Sequence, residues 1–423
     1  MRNTRWLRYG LASTIAAFAG LGLTLAACGD DDDGAVNKPD TGTGTETSTG
    51  PEGGGDSSTD AAKPDTRPFA KLTLVNATSD LGPKAAVNVR GDAAFRVCFK
   101  QGTTEQNVSV APYPPLPDKA PPGSPAPGIP YGTGGTFPSF GLDLEGRVIV
   151  PIIMNAKTLA AKRIVNPNNG SPGTTCDELI GTSADAAVGL KANEDYWELP
   201  PIPAGTFKRE KAFVLLLTGC VGDATISSEK CGPGFTAGGG PGVGNLAVKI
   251  FETTRAAISP TQLGIQFIHA SAQANAVFGP TGAVFPIEPG LMADPRDAGS
   301  FKAATDTPAT YGTLSPVKAV SKTTDGDFFV LSKTQPDPTR GPLAPYPLTT
   351  IQALSGLGPN SAPTVYVNGA NYVFLVTGDP AEPTFNATDG GGPGDGGDGT
   401  QFNTKSVHYL AFPTDPVVKP YAP

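Results

Sequence analysis

A chain of 423 residues with a net charge of −8 and no basic cluster beyond its first residues has room for two domains and offers nucleic acid little to bind. Its 54 glycines and 44 prolines approach a quarter of the residues, close to the composition at which chains stop folding. That excess is concentrated in a tether and in loops, so the remaining sequence keeps enough apolar residues for a core.

Arg2, Arg5 and Arg8 open the chain, and a nearly unbroken small, apolar run follows from Gly10 to Ala27. A positive start, an apolar middle and small residues before a cut site are the parts of a secretory signal. A spanning helix takes about 20 apolar residues, so the run is marginal as an uncleaved anchor. It ends in Leu25-Ala26-Ala27-Cys28, the form of a lipobox, and so resembles the signals of bacterial lipoproteins. That resemblance implies cleavage after residue 27 and acylation of Cys28. Residues 1–27 are read as the signal peptide and 28–67 as a lipidated cysteine with a disordered linker. The expected address is the cell envelope, lipid-anchored to a bacterial membrane, at the outer membrane or cell surface.

The linker is Gly, Asp, Thr, Ser, Pro and Lys without apolar periodicity, so it cannot offset the entropy of ordering. As a flexible coil it would span about 35 Å. Asp30 to Asp33 read as a solvated charge run rather than a calcium site.

Residues 68–257 are expected to form a first β-sandwich domain with long loops. Strands are predicted at Ala70–Ala77, Ala86–Arg90, Phe95–Phe99, Arg147–Met154 and Asn245–Phe251. Lys211–Gly219 is continuously apolar, as in a strand buried on both faces. Pro112–Pro130 reads as a stiff loop, because its prolines cannot donate to a ladder. A short helix is expected over Asn155–Lys162 with Asn155 as its cap. Tyr196 and Trp197 could stack on a sugar, but such aromatics are more often core anchors of a sandwich. The glycine cluster from Gly238 to Gly244 lacks the Gly-Lys-Ser/Thr ending of a phosphate loop and reads as a flexible loop.

Besides Cys28 the cysteines are Cys98, Cys176, Cys220 and Cys231, an even remainder that suggests two disulfides in an exported protein. Cys220 and Cys231 are close in sequence, and Cys98 with Cys176 follows by elimination. No Cys-x-x-Cys pair suggests zinc.

Residues 258–423 are expected to form a second β-sandwich domain. Leu72–Thr78 aligns with Ile265–Ser271, Tyr131-Gly132-Thr133 with Tyr311-Gly312-Thr313, and Leu216–Gly219 with Leu375–Gly378. Three marks in the same order suggest two copies of one unit. A strand ending Asn/His-Ala-Thr/Ser, a later Tyr-Gly-Thr, the turn Pro203-Ala204-Gly205-Thr206 and a closing apolar strand resemble a bacterial cell-surface β-sandwich family catalogued as a domain of unknown function. The resemblance implies an exported, all-β protein and no catalytic residues. The second copy lacks the Pro-Ala-Gly-Thr turn.

Chemistry is sparse. His269 and Ser271 share a strand face and invite a hydrolase reading, yet the first copy carries Asn76 in the histidine's place, so the position reads as structural. His408 falls in a late strand. The aspartates of Asp389–Gly399 are too few to supply the six to eight oxygens of a calcium site. The expectation is an all-β chain, two β-sandwich-like domains in tandem after a signal peptide and a disordered linker. It has no cofactor, no metal and no catalytic residues. Its partners would be a membrane, through the lipid anchor, and a protein or glycan. It would be a non-enzymatic binding or adhesion module, with a structural envelope protein as the alternative and a hydrolase third.

Overall fold

The structure, a computed structural model, describes residues 67–78, 94–117, 128–137, 144–161, 174–180, 190–221, 231–235, 244–272, 287–322, 324, 326–332, 343–354, 366–378 and 407–414. The expected signal peptide, Cys28, the expected linker to residue 66, the expected strand at 86–90, most of the glycine cluster and residues 389–399 lie outside the described residues.

The first sandwich comprises β1 (Lys71–Asn76), β2 (Phe95–Gly102), β3 (Val108–Val110), β4 (Thr133–Phe137), β5 (Val148–Asn155), β6 (Tyr196–Glu198), β7 (Ala212–Thr218) and β8 (Ala247–Glu252). They form two sheets, ordered β4-β1-β7-β8 and β3-β2-β5-β6. The second comprises β9 (Gln262–His269), β10 (Glu288–Met292), β11 (Lys302–Ala303), β12 (Lys318–Ser321), β13 (Phe328–Ser332), β14 (Leu343–Pro347), β15 (Asn371–Thr377) and β16 (His408–Pro413), in sheets β12-β9-β15-β16 and β11-β10-β13-β14. At the heart of each sandwich one pair is parallel: β1 with β7, and β9 with β15. Their other neighbours are antiparallel.

The alternation of side chains along a strand explains the layering. In β7, Phe213, Leu215 and Leu217 face the first core with Leu72, Leu74, Val97, Ile149 and Trp197. Val214 and Leu216 face the other way, where they meet Val75 and, from the second sandwich, Ile268, Val373, Leu375, Leu410 and Phe412. In β15, Tyr372, Phe374 and Val376 enter the second core with Phe267, Phe329 and Tyr409. The two sandwiches are therefore stacked face to face through a third apolar layer, and residues 64–423 form one compact unit. Strands with both faces buried need apolar residues at every position, which is why Ala212–Thr218 and Asn371–Thr377 read as unbroken runs.

The outer face of β5 is also covered. Ile152 and Met154 lie under α1 (Ala156–Ala161) and α2 (Cys176–Ile180), with Leu159 and Leu179. Asn155 caps α1, its Oδ1 accepting from the Thr158 amide at 3.0 Å. In α2, Glu178 Oε2 accepts from the amides of Thr174 and Thr175 at 2.8 and 3.1 Å. Cys98 of β2 is bonded to Cys176 and so pins α2 to the sheet; Cys220 is bonded to Cys231. In the second sandwich α3 (Leu348–Leu354) buries Leu348 and Ile351 in the core.

Candidate functional site

The repeated marks come together at one end of each parallel pair. In the first sandwich, Asn76 ends β1. Its Oδ1 accepts from the Thr78 amide at 3.0 Å, and its Nδ2 donates to the Ile129 carbonyl at 2.9 Å. Thr78 Oγ1 donates to the Gly219 carbonyl at 2.5 Å, tying β1 to the end of β7. The Gly132 amide donates to the Asn76 carbonyl at 2.9 Å, and Thr133 Oγ1 closes its own turn on the Pro130 carbonyl at 2.7 Å.

The second sandwich repeats all of these bonds but that of the Asn76 Nδ2. The Ser271 amide donates to His269 Nδ1 at 3.3 Å, Ser271 Oγ donates to the Gly378 carbonyl, and the Gly312 amide donates to the His269 carbonyl at 2.7 Å. Thr313 Oγ1 donates to the Thr310 carbonyl at 2.8 Å. Gly132 and Gly312 sit at φ 69° and 71°, where a Cβ is strained, so both turns require glycine.

This geometry decides the hydrolase reading. A serine nucleophile needs its hydroxyl proton directed at a base. The Ser271 hydroxyl is directed at a backbone carbonyl, and His269 Nδ1 is occupied by a backbone amide. Both residues are wholly buried, as are Asn76 and Thr78 in the same roles. These side chains fasten strand ends.

Each Tyr-Gly-Thr turn also reaches the other sandwich or its own histidine. Tyr131 meets the ring of His408 edge-on at 5.7 Å, across the seam. Tyr311 meets His269 edge-on at 5.8 Å, and from the first sandwich the Lys249 ammonium lies 5.3 Å from the Tyr311 ring centre, within cation–π range. Register shows the symmetry. Ala247 pairs with Thr218 and His408 with Thr377, so β8 and β16 are equivalent strands, each receiving the other sandwich's turn. Burial pushes the Tyr311 hydroxyl up to about 12. Gly232, beside Cys231, approaches the Tyr311 hydroxyl closely enough that a Cβ there would stand 3.0 Å from it.

Elsewhere the described residues offer little to a ligand. Trp197 is buried in the first core and Tyr196 packs over the outer face of its sheet, so the two do not form a stacking platform. An apolar cleft between β2 and the 111–116 segment is lined by Val97, Phe99, Gln101, Tyr113, Leu116 and Phe207. Among the described residues, no group of three or more His, Cys, Asp or Glu could hold a metal, and Val367 is the one large apolar side chain classed as exposed. No helix among them is long and apolar enough to cross a membrane.

The fold and its repeated strand-end fastening define an all-β protein of two stacked sandwiches. No protein-family model and no curated sequence matches the chain. Solved structures overlap it loosely. A candidate cell adhesion protein of Bacteroides uniformis superimposes with a TM-score of 0.19 at 10% identity, over 84% of this chain and 100% of that one. A second, of Bacteroides eggerthii, gives 0.18 at 10% identity, over 82% and 96%. The fimbrial anchor protein Mfa2 of Porphyromonas gingivalis gives 0.14 at 8% identity, over 73% and 90%. At such scores the all-β assignment rests on this chain's own strands.

Proposed function

We propose that this chain is a lipid-anchored protein of the bacterial envelope, held by Cys28, whose stacked sandwiches act as a non-enzymatic binding or adhesion module. The observation that carries the non-enzymatic part is the matched fastening in the two copies: where the second copy has His269, the first uses the carboxamide of Asn76 for the same bond. The expected linker and lipobox support display at a membrane surface, and the loosely similar structures are named cell adhesion and fimbrial anchor proteins. The family of unknown function that the sequence resembles is exported in the same manner.

Two measurements test this reading. Cells fed a clickable fatty acid should label the chain, and Cys28→Ser should abolish labelling; label persisting in that variant refutes the anchor. The intact chain, applied to glycan and envelope-protein arrays, should bind a definable subset. Silence across both favours the second reading, a structural envelope protein without a small ligand, which the scarcity of exposed apolar side chains among the described residues supports.

A further inference from the structure

The two copies part company at neighbouring positions of their parallel pairs. By register, Lys71, Thr73 and Ala212 of the first correspond to Gly264, Gln266 and Asn371 of the second. All six share a strand face with residues of the apolar layer between the sandwiches. Gln266 and Asn371 are buried, and a buried carboxamide is costly unless its hydrogen bonds are made.

Both carboxamides reach one segment. Between β8 and β9, residues 253–259 form neither strand nor helix, and 254–257 are exposed. Gln266 Oε1 accepts from the Thr254 amide at 2.9 Å, and its Nε2 donates to the Ser315 carbonyl at 3.2 Å. Asn371 Oδ1 accepts from the Ala256 amide at 3.2 Å, and its Nδ2 donates to the Ala256 carbonyl at 3.0 Å. One side chain thus answers both backbone groups of Ala256, as a neighbouring strand would. Glycine at 264 makes room for that reach, since a Cβ there would run into Asn371 Oδ1 and Ile258.

The preceding residue is fastened on the other side of the seam. The Thr253 amide and hydroxyl donate to the Ala212 carbonyl of the first sandwich at 2.9 and 3.0 Å. Thr414 makes the same pair of bonds to the Asn371 carbonyl at 3.1 and 3.3 Å, so Thr253 belongs to the repeat. The bonds of Gln266 and Asn371 to the 254–256 segment do not. Thr253 and Thr254, adjacent in the chain, are therefore tied to different sandwiches. Without the two carboxamides the connection would run from Thr253 to the start of β9, about nine residues that reach ~30 Å when extended.

From the structure we infer that Gln266 and Asn371 form a clip that removes the slack from this connection and confines each chain's seam to its own two sandwiches; with the clip open, the same faces pair with those of a second copy of the chain. Val75, Val214 and Leu216 meet Ile268, Val373 and Leu375 in that layer. Those contacts are the same whether made within one chain or between two, as in domain swapping. What favours the closed monomer is the effective concentration set by the connection, and the clip shortens it to one peptide link. The freed amides of the exposed segment are taken up by water, so opening the clip alters the connection more than the cores.

The test mixes two forms of the intact chain that differ in mass, at high concentration, and reads them by native mass spectrometry with hydrogen–deuterium exchange alongside. Gln266→Thr combined with Asn371→Ala gives the second copy the residues of the first. In that variant the Thr254 and Ala256 amides should lose protection and mixed dimers should appear. β7 and β15 should keep the protection they have in the unaltered monomer, because the same faces meet. The unaltered chain should stay monomeric. The proposal is overturned if the unaltered chain forms mixed dimers as readily, if the variant stays monomeric, or if its dimers leave β7 or β15 unprotected. Should the double variant fail to fold, Gln266→Thr alone, read in the same way, decides.

Discussion

Two glycines in equivalent turns should respond differently to the same substitution. Gly132 and Gly312 have nearly the same φ, 69° and 71°, and their amides make equivalent bonds of 2.9 and 2.7 Å to the ends of β1 and β9. Alanine at either site meets a left-handed backbone penalty of about 1–2 kcal/mol. What stands over each glycine differs. A Cβ at Gly132 would lie 2.5, 2.7 and 2.9 Å from the Cγ, Cδ2 and Nδ1 atoms of the buried His408 ring. At Gly312 it would collide with Lys249 Nζ, the free end of a four-carbon stem that can swing aside. Forcing an extra carbon against a packed ring costs a further 1–3 kcal/mol or so. Gly312→Ala should therefore cost about 1–2 kcal/mol and Gly132→Ala about 2–5 kcal/mol. Urea unfolding of the intact chain, followed by circular dichroism at unchanged slope, measures both. A Gly312→Ala cost equal to or above that of Gly132→Ala would refute the claim that the seam contacts, rather than the turns alone, set the requirement.

Three other predictions rest on separate features. Leu375 is wholly buried in the layer shared by the sandwiches, so Leu375→Ala should cost about 2–5 kcal/mol and shift a single calorimetric transition; an early transition split from the rest would show that the layer does not couple them. Replacing Cys98 and Cys176 by alanine opens a loop of 78 residues, against 11 for Cys220 and Cys231. The chain-entropy model gives about 4.5 and 2.8 kcal/mol, so urea midpoints should fall more for the first pair. Tyr311 is pushed up to about 12, and Tyr409 is raised well above the usual tyrosine range, in both cases chiefly by burial. An acid whose folded form resists ionisation contributes stability that is intact below the unfolded value near 10 and lost as pH climbs toward 12. Absorbance at 295 nm should show these tyrosines ionising only with alkaline unfolding, and their titration near pH 10 in folded protein would contradict the burial.

Much of the strand content was legible because burial leaves a pattern. Ala212–Thr218 declared itself by being apolar at every position, and the Asn155 cap announced α1. α2 carried a signal that the composition of its surroundings hid: Thr175 three residues before Glu178 has the spacing of a capping box, of which the structure forms the half from the Thr175 amide to Glu178, while the Thr175 hydroxyl turns to Asp177. β10 and β14 were not read, since Glu288-Pro289-Gly290 and Leu343-Ala344-Pro345 interrupt their apolar residues with turn formers. The parallel pairing was not legible either, because period-two burial does not encode the neighbour's direction. Nor could sequence show that Tyr311 meets Lys249, 62 residues earlier, since nothing local in Tyr-Gly-Thr or in β8 points to the other.

The stacking constrains where any partner can be read. The inner faces of all four sheets are spent on the two cores, and the β4-β1-β7-β8 and β12-β9-β15-β16 sheets spend their outer faces on each other. The outer face of β3-β2-β5-β6 carries α1 and α2. A strand surface used for recognition would need exposed aromatic or apolar anchors, as hot spots do. Trp197, the one tryptophan of the folded part, is instead packed in the first core. The proposed recognition would then fall to loops, strand edges and the outer face of β11-β10-β13-β14, the usual division of labour between scaffold and function in sandwich proteins. On that reasoning the repeated fastenings hold the scaffold in register at the strand ends from which those loops depart, and a change at Asn76 or His269 should alter the proposed binding only by loosening what it holds.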